Sequence, residues 1–178
     1  MERTKSRPIP SKLVSPFTAL VFGIFLCTFG LLILWTGTNQ WAAILTFATV
    51  SIYLLLYTPL KKKTSWAIEI GAVSGALPPL VGWVAAANYP TTYGWILFGI
   101  LFAWQLPHFM AIAWNHRLDY SKGGFQLHIM GDDQGRALSL KSLFYTVILT
   151  VFVFCPYLFE INQVKPGNFY LFSAICLS

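Results

Sequence analysis

Two polar side chains lie within a long apolar run and are the first candidates for chemistry in this sequence. Gln105 and His108 interrupt residues 94–115, a run in which almost all other residues are apolar. A polar residue at membrane depth is energetically costly, usually faces the interior of a helical bundle and often carries function. We therefore take both as candidate substrate-binding residues. The alternative for His108 is a structural hydrogen bond to a neighbouring helix.

The same run predicts a polar stripe that reaches the membrane surface. Residues seven and eleven positions apart share nearly one helical face. His108, Asn115 and Asp119 therefore align if the helix continues through Asp119, with Gln105 about 60° away. At about 1.5 Å per residue, Asp119 stands roughly 16 Å above His108. Polar groups at the mouth and deep inside a bundle suit an amphiphilic substrate, so Asn115 is also a candidate substrate-binding residue.

Basic residues surround Asp119 at this predicted surface. They are Arg117 and Lys122 beside it, and Arg3, Lys5, Arg7 and Lys61 on other loops of the same side. A carboxylate among cations is typical of a magnesium-bound diphosphate, because Mg²⁺ prefers oxygen ligands and basic groups balance the phosphate charge. Asp119 is therefore a candidate metal-binding residue, and these cations are candidate substrate-binding residues. Membrane topology and anionic lipid explain the same cations without a ligand.

Three other acidic residues are alternative metal ligands. Asp132 and Asp133 are adjacent in a glycine-containing segment, and Glu69 lies near the start of the third apolar run. Adjacent acids in such loops are commonly solvated, so all three rank behind Asp119.

The elements that position these residues are predicted to be membrane-spanning helices. Of 178 residues, 56% are hydrophobic and 10% charged, whereas soluble domains carry roughly 25% charged residues. A bilayer core of about 30 Å needs roughly 20 apolar residues per helix. Such runs cover approximately residues 16–35, 41–57, 66–88, 94–115 and 142–159, and a sixth, incomplete run begins near Phe169. We predict an all-α transmembrane bundle that forms one domain over residues 1–178.

The basic residues also predict orientation. Eleven of the twelve Lys and Arg residues precede the first run or follow the second and fourth, and only Lys165 falls on the other side. The positive-inside rule places those loops in the cytoplasm or the matrix, so the bacterial plasma membrane and the mitochondrial inner membrane both fit. Basic residues that follow topology do not indicate a nucleic-acid partner.

Prolines within two runs predict interrupted helices. Pro78 and Pro79 fall inside the third run and Pro107 inside the fourth. Proline removes a backbone donor, which membranes tolerate where neighbours or a cavity satisfy the freed carbonyl. Each interruption points either to a cavity or to a packing kink. The charged, glycine-containing stretch from about His116 to Lys141 predicts a long extramembrane loop.

Five segments, in order and in register, resemble the haem O synthase branch of the membrane prenyltransferases. They are RTKSRPIP (residues 3–10), YTPLKKKT (57–64), GALPPLVGW (75–83), WQLPHF (104–109) and LDYSKGGF (118–125). The resemblance implies a fold of nine spans and an enzyme that joins the farnesyl group of farnesyl diphosphate to a vinyl group of haem b, giving haem O. It implies Mg²⁺ with the diphosphate, and haem A synthase or terminal-oxidase assembly factors as further partners.

The resemblance also implies roles for individual residues. Asp119 matches the magnesium or diphosphate residue of the family's second acidic motif, which predicts it as the catalytic and metal-binding residue. His108 matches the histidine of the family's PHF segment, for which we expect acceptor positioning. The matching diphosphate contacts are Arg3, Lys5, Arg7 and Lys61.

The sequence departs from the family pattern at two places. The family's first aspartate-rich motif, just upstream of RTKSRPIP, is missing, and Leu118 stands where relatives often carry an acid. We therefore expect Met1 to be internal to a longer product with two earlier spans and one later span, and the 178 residues to be inactive alone. The alternatives are a quinone-precursor prenyltransferase, a non-catalytic haem- or lipid-binding oxidase assembly protein, and a transporter.

Overall fold

The structure is a computed structural model that describes residues 6–122 and 135–158. Its helices are α1 (Pro16–Gly37), α2 (Gln40–Ser51), a π-helical segment (Ile52–Tyr57), α3 (Thr58–Leu60), α4 (Ala67–Ala87), α5 (Thr92–Asn115), α6 (Arg117–Lys122) and α7 (Arg136–Leu158). No strand occurs in these two ranges, so the predicted all-α fold class is confirmed.

Five segments of the described chain are long and apolar enough to cross a membrane: Pro16–Gly37, Gln40–Leu60, Ala67–Ala87, Thr92–Asn115 and Arg136–Pro156. They correspond to the five complete runs in the sequence, and the sixth lies outside the described residues. The predicted loop between the fourth and fifth runs is wrong at both ends, where α6 and the start of α7 are helical. Arg, Leu, Ala and Lys favour helix even outside the apolar core.

Helices α4 and α5 continue through their prolines, so the predicted interruptions are wrong. Helix α4 contains Pro78 and Pro79 and α5 contains Pro107 without a break. Each proline removes one backbone donor, but its fixed φ of about −65° suits a helix. The hydrogen bonds on either side are therefore sufficient to hold each helix together.

The starts of α4 and α7 and the end of α5 meet at one end of the bundle. Ala67 and Ala113 form a buried cluster there with Trp114, Tyr120 and Leu138 packed against it. We call this the basic end, because exposed or half-buried cations gather there, among them Lys61, Lys62, Lys63, Arg117, Arg136 and Lys141.

Two asparagines fix the opposite end. The Asn39 side chain accepts a hydrogen bond from the Ala42 N–H (2.9 Å), which caps α2, and donates one to the Val84 carbonyl of α4 (2.9 Å). Asn88 ends α4 in the left-handed conformation (φ 67°), and its N–H also donates to the Val84 carbonyl. The connection between α1 and α2 is thereby tied to the end of α4.

Small residues allow α4, α5 and α7 to approach closely. Ala72, Ala76 and Ala103 are fully buried. A Cβ at Gly94 of α5 would lie 2.8 Å from Leu80 of α4, and one at Gly99 would overlap the Phe152 ring of α7. Lipid offers no hydrophobic drive for helix association, so this close van der Waals packing is what holds the helices together.

Replacing Gly99 by alanine tests the α5–α7 contact. The added methyl group forces the Phe152 ring to move, and such overpacking typically costs about 1–3 kcal/mol. We expect Gly99→Ala to lower the midpoint of thermal unfolding in detergent, followed by intrinsic fluorescence. Gly82→Ala on α4 is the matched control, because a Cβ there meets no atom within 4 Å. Equal midpoints for the two variants would contradict the packing.

Candidate functional site

A cavity of about 940 Å³ lies between α1, α2, the π-helical segment, α4, α5 and α6. This volume is near the upper limit of about 1,000 Å³ for ordinary ligand sites. Its polar lining residues are Thr28, Thr49, Tyr53, Tyr57, Lys61, Ser74, Gln105 and Tyr120, and the other lining residues are aliphatic, phenylalanine, glycine or cysteine. The cavity therefore suits a large, mainly apolar ligand.

The cavity runs from the basic end towards the middle of the bundle. On α1 its lining extends from Ala19 to Leu31, a distance of about 18 Å at 1.5 Å per residue. Lys61, Ala67 and Tyr120 line it at the basic end, and Gly75 and Gln105 line it farther in. A charged group and an apolar chain of one ligand can thus occupy different depths.

Lys61 and two tyrosines form the wall at the basic end. Lys61 is half-buried, and its Nζ lies 5.6 Å from the centre of the Tyr57 ring. Tyr53 and Tyr57 both belong to the π-helical segment and line the cavity, with 5.2 Å between their ring centres and the rings tilted by 30°. Single π-helical turns occur frequently at functional sites. Gly71 provides space for the Tyr57 ring, since a Cβ there would lie 3.0 Å from it.

Sequence reasoning predicted Lys61 at the site but missed the tyrosines that line the cavity. Tyr57 precedes Lys61 by four residues, a spacing that places both side chains on one helical face. This spacing alone was enough to predict that Tyr57 lies beside Lys61. Tyr120 follows Asp119 directly, but nothing in its sequence context separates a cavity-lining tyrosine from a membrane-interface tyrosine.

Gln105 lies at the cavity and His108 does not. Gln105 is buried, and its Nε2 donates a hydrogen bond of 2.7 Å to the Ala72 carbonyl of α4. His108 is exposed, does not line the cavity, and stacks on Trp104 with 5.2 Å between ring centres. Its proposed role in acceptor positioning remains a prediction.

His108, Asn115 and Asp119 do not form the predicted polar stripe on one helical face. Helix α5 ends at Asn115, and His116 (φ −109°, ψ 20°) leaves the helical conformation before α6 begins. Asn115 is exposed at this end, and Asp119 belongs to a separate short helix. The backbone of Asp119 nevertheless lies next to Tyr120, which lines the cavity.

Of the other cations predicted to bind substrate, Arg117 and Arg7 lie away from the cavity. Arg117 is exposed, donates to the Trp114 carbonyl (3.3 Å) and lies 4.6 Å from the Trp114 ring. Arg7 is exposed in a turn before α1. Neither lines the cavity. The side chains of Asp119 and Lys122, and all of Arg3, Lys5, Asp132 and Asp133, lie outside what the structure describes.

The described residues do not fit a magnesium site. Glu69 is the only acid whose side chain the structure describes, and its Oε1 pairs with Nζ of Lys141 on α7. Its Oε2 is buried without a hydrogen-bond partner, and Lys141 also lies 4.8 Å from the Trp66 ring. No three His, Cys, Asp or Glu side chains meet in residues 6–122 and 135–158. Glu69 thus forms an ion pair between helices, although its position suggested a metal ligand.

Comparison of the sequence with known proteins identifies the family to which the chain belongs. A model of the UbiA prenyltransferase family matches residues 1–178, which is the whole chain. The chain belongs to the UbiA prenyltransferase family. Family membership and the five apolar helices together make it part of an integral membrane protein.

Curated relatives of this UbiA-family chain carry the name protoheme IX farnesyltransferase. That of Opitutus terrae is 44% identical over 98% of the chain and 62% of the relative. Those of Myxococcus xanthus and Solibacter usitatus are 40% and 38% identical, each over 99% of the chain and 58% and 59% of the relative. These matches confirm the resemblance seen in the five segments. The chain spans about three fifths of the length of these relatives, and no solved structure matches it.

The ion pair between Glu69 and Lys141 predicts a stability effect at the basic end. Lys141→Ala leaves a mostly buried carboxylate without its cation. Exposed pairs contribute about 0–1 kcal/mol, and breaking a buried one costs about 3–5, so we expect a loss of about 2 kcal/mol for this partly buried pair. The measurement is chemical unfolding in detergent.

Two further variants control this test. Lys62→Ala removes an exposed cation of the same end and should leave stability unchanged. Adding Glu69→Gln to Lys141→Ala should restore part of the loss, because a neutral amide is cheaper to bury than a carboxylate. A Lys141→Ala protein as stable as Lys62→Ala would show that the pair contributes nothing.

Proposed function

We propose that the protein to which this chain belongs transfers the farnesyl group of farnesyl diphosphate to a vinyl group of haem b, giving haem O. The similarity to relatives named protoheme IX farnesyltransferase supports the reaction. The observation that carries the proposal is the long apolar cavity with Lys61 at the basic end.

The charge at the cavity wall suits a diphosphate. An ammonium group in largely apolar surroundings binds phosphate oxygens more strongly than one in open water, because the local dielectric is lower. It also stabilises the negative charge that develops on the leaving diphosphate when its bond to the farnesyl carbon breaks. Lys61 is half-buried at this position, whereas Lys62 and Lys63 beside it are exposed.

The apolar wall suits the rest of the reaction. Departure of the diphosphate leaves an allylic cation, which an apolar site shields from water until the vinyl carbon forms the new bond. The positive charge left on the neighbouring carbon of the former vinyl group then takes up water and releases a proton, which gives the hydroxyl group of haem O. The Tyr57 ring lies beside Lys61, and the Tyr53 ring packs against Tyr57. Aromatic faces attract cations. These rings are therefore suited to stabilise the allylic cation.

The proposal also includes a metal ligand, an orientation in the membrane and two kinds of protein partner. UbiA prenyltransferases generally use Mg²⁺ with diphosphate substrates, and Asp119 is our candidate ligand because its backbone lies beside cavity-lining Tyr120. We place the basic end in the cytoplasm or the mitochondrial matrix, according to the charge asymmetry. Haem A synthase and terminal-oxidase assembly factors are the expected protein partners.

The direct test uses the full-length parent protein in membranes, supplied with haem b, farnesyl diphosphate and Mg²⁺. We expect haem O, identified by chromatography and mass. Formation of a prenylated quinone precursor in place of haem O would contradict the proposal.

Lys61→Gln tests the diphosphate contact in the same assay. Loss of one charge-assisted hydrogen bond, worth about 1.5–3 kcal/mol, should lower kcat/KM for farnesyl diphosphate by roughly 10- to 100-fold. Lys62→Gln is the matched control, since Lys62 is exposed and does not line the cavity. Equal kcat/KM values for the two variants would remove Lys61 from the site.

A further inference from the structure

Gln105 and Gly75 form the inner limit of the cavity on the wall made by α4 and α5. On α4 the lining residues run from Ala67 to Gly75, and on α5 they run back from Ala113 to Gln105. Neither helix lines the cavity farther in, where α1 continues to Leu31. The wall that α4 and α5 contribute therefore ends at Gln105 and Gly75, so these residues mark the depth to which both helices face the cavity.

The Gln105 side chain is held in place from two directions. Its Nε2 donates to the Ala72 carbonyl at 2.7 Å. Its Oε1 lies against Gly75, where a Cβ would come within 2.5 Å of that oxygen. The position is buried, with 5% of the residue exposed. A hydrogen-bonded carboxamide packed on a glycine is a rigid obstacle, in contrast to a freely rotating side chain.

The depth of this obstacle matches a prenyl chain of particular length. Eight residues separate Ala113 from Gln105, which is about 12 Å of helix. At roughly 1.3 Å of extended length per carbon–carbon bond, a farnesyl main chain spans about 14 Å and a geranylgeranyl chain about 19 Å. If the charged end of the donor lies level with Ala113, a farnesyl chain ends close to the depth of Gln105, whereas a geranylgeranyl chain extends roughly 5 Å farther.

We propose that Gln105, seated on Gly75, is a specificity-determining residue that selects the prenyl donor by its length. This inference rests on the proposed function, since it assumes that the cavity holds a prenyl diphosphate with its charged end at the basic end. Gly75 takes part indirectly: any side chain there displaces the carboxamide into the cavity and shortens the space available to the donor.

The test compares geranyl, farnesyl and geranylgeranyl diphosphates as donors for the full-length protein. One methylene group in a pocket discriminates by about 10-fold or more. Gln105→Ala should therefore raise the kcat/KM ratio of geranylgeranyl to farnesyl diphosphate by at least about tenfold. Gly75→Ala should shift preference the other way, towards geranyl diphosphate. Gly82→Ala, on the same helix in open space, should keep the wild-type ratios.

A wild-type ratio in a folded, active Gln105→Ala protein would overturn the proposal. If that variant does not accumulate in membranes, Gln105→Asn, which shortens the side chain by one methylene, takes its place and should raise the same ratio by a smaller factor. A merely structural role for Gln105 would lower activity with all three donors equally and leave the ratios unchanged, and that result also counts against length selection.

Binding measurements separate failure of this inference from failure of the proposed function. Farnesyl and geranylgeranyl thiodiphosphates, which ionise slowly, report the length preference by thermal shift without any acceptor. A wild-type protein that binds them but makes no haem O contradicts the reaction, while the change in binding ratio for Gln105→Ala still decides the role of Gln105. Absence of any prenyl diphosphate binding overturns both.

Discussion

Backbone polar groups within a bilayer have to find their partners inside the protein, because the lipid offers none. This constraint makes helices the only available element for the five apolar segments, and it leaves their packing to van der Waals contact and a few interhelical hydrogen bonds. The packing of α4 against α5 depends on van der Waals contact and on a hydrogen bond. Gly94 allows the close approach, and Gln105 donates the hydrogen bond to the Ala72 carbonyl.

The cavity is a consequence of the same packing. Gly71 and Gly75, one helical turn apart on α4, have no side chains of their own to fill the interior. Tyr57 and Gln105 occupy part of that space, and both line the cavity. The residues that allow close packing thus also shape the wall that faces a ligand. Lys61 adds the charge at the basic end, where Tyr57 lies beneath it.

The sequence predicts the spans well, because length and apolar composition are local properties that the bilayer selects directly. It predicts side-chain direction poorly. Gln105 and His108 are three residues apart in the same run, yet one is buried and the other exposed, since about 60° of rotation separates a helical interface from its edge. Local sequence also gives no sign of the ion pair between Glu69 and Lys141, whose partners are 72 residues apart.

Photoaffinity labelling tests the central claim most directly, namely that the cavity binds a prenyl diphosphate with its charged end at Lys61. A farnesyl diphosphate analogue with a photoreactive group at the end of its chain is cross-linked to the full-length protein, and the labelled peptides are mapped by mass spectrometry. We predict labels in α4 or α5 near Gly75 and Gln105, lost when farnesyl diphosphate competes. Labels confined to the exposed positions Val147 and Val151 of α7, or insensitive to competition, would contradict it.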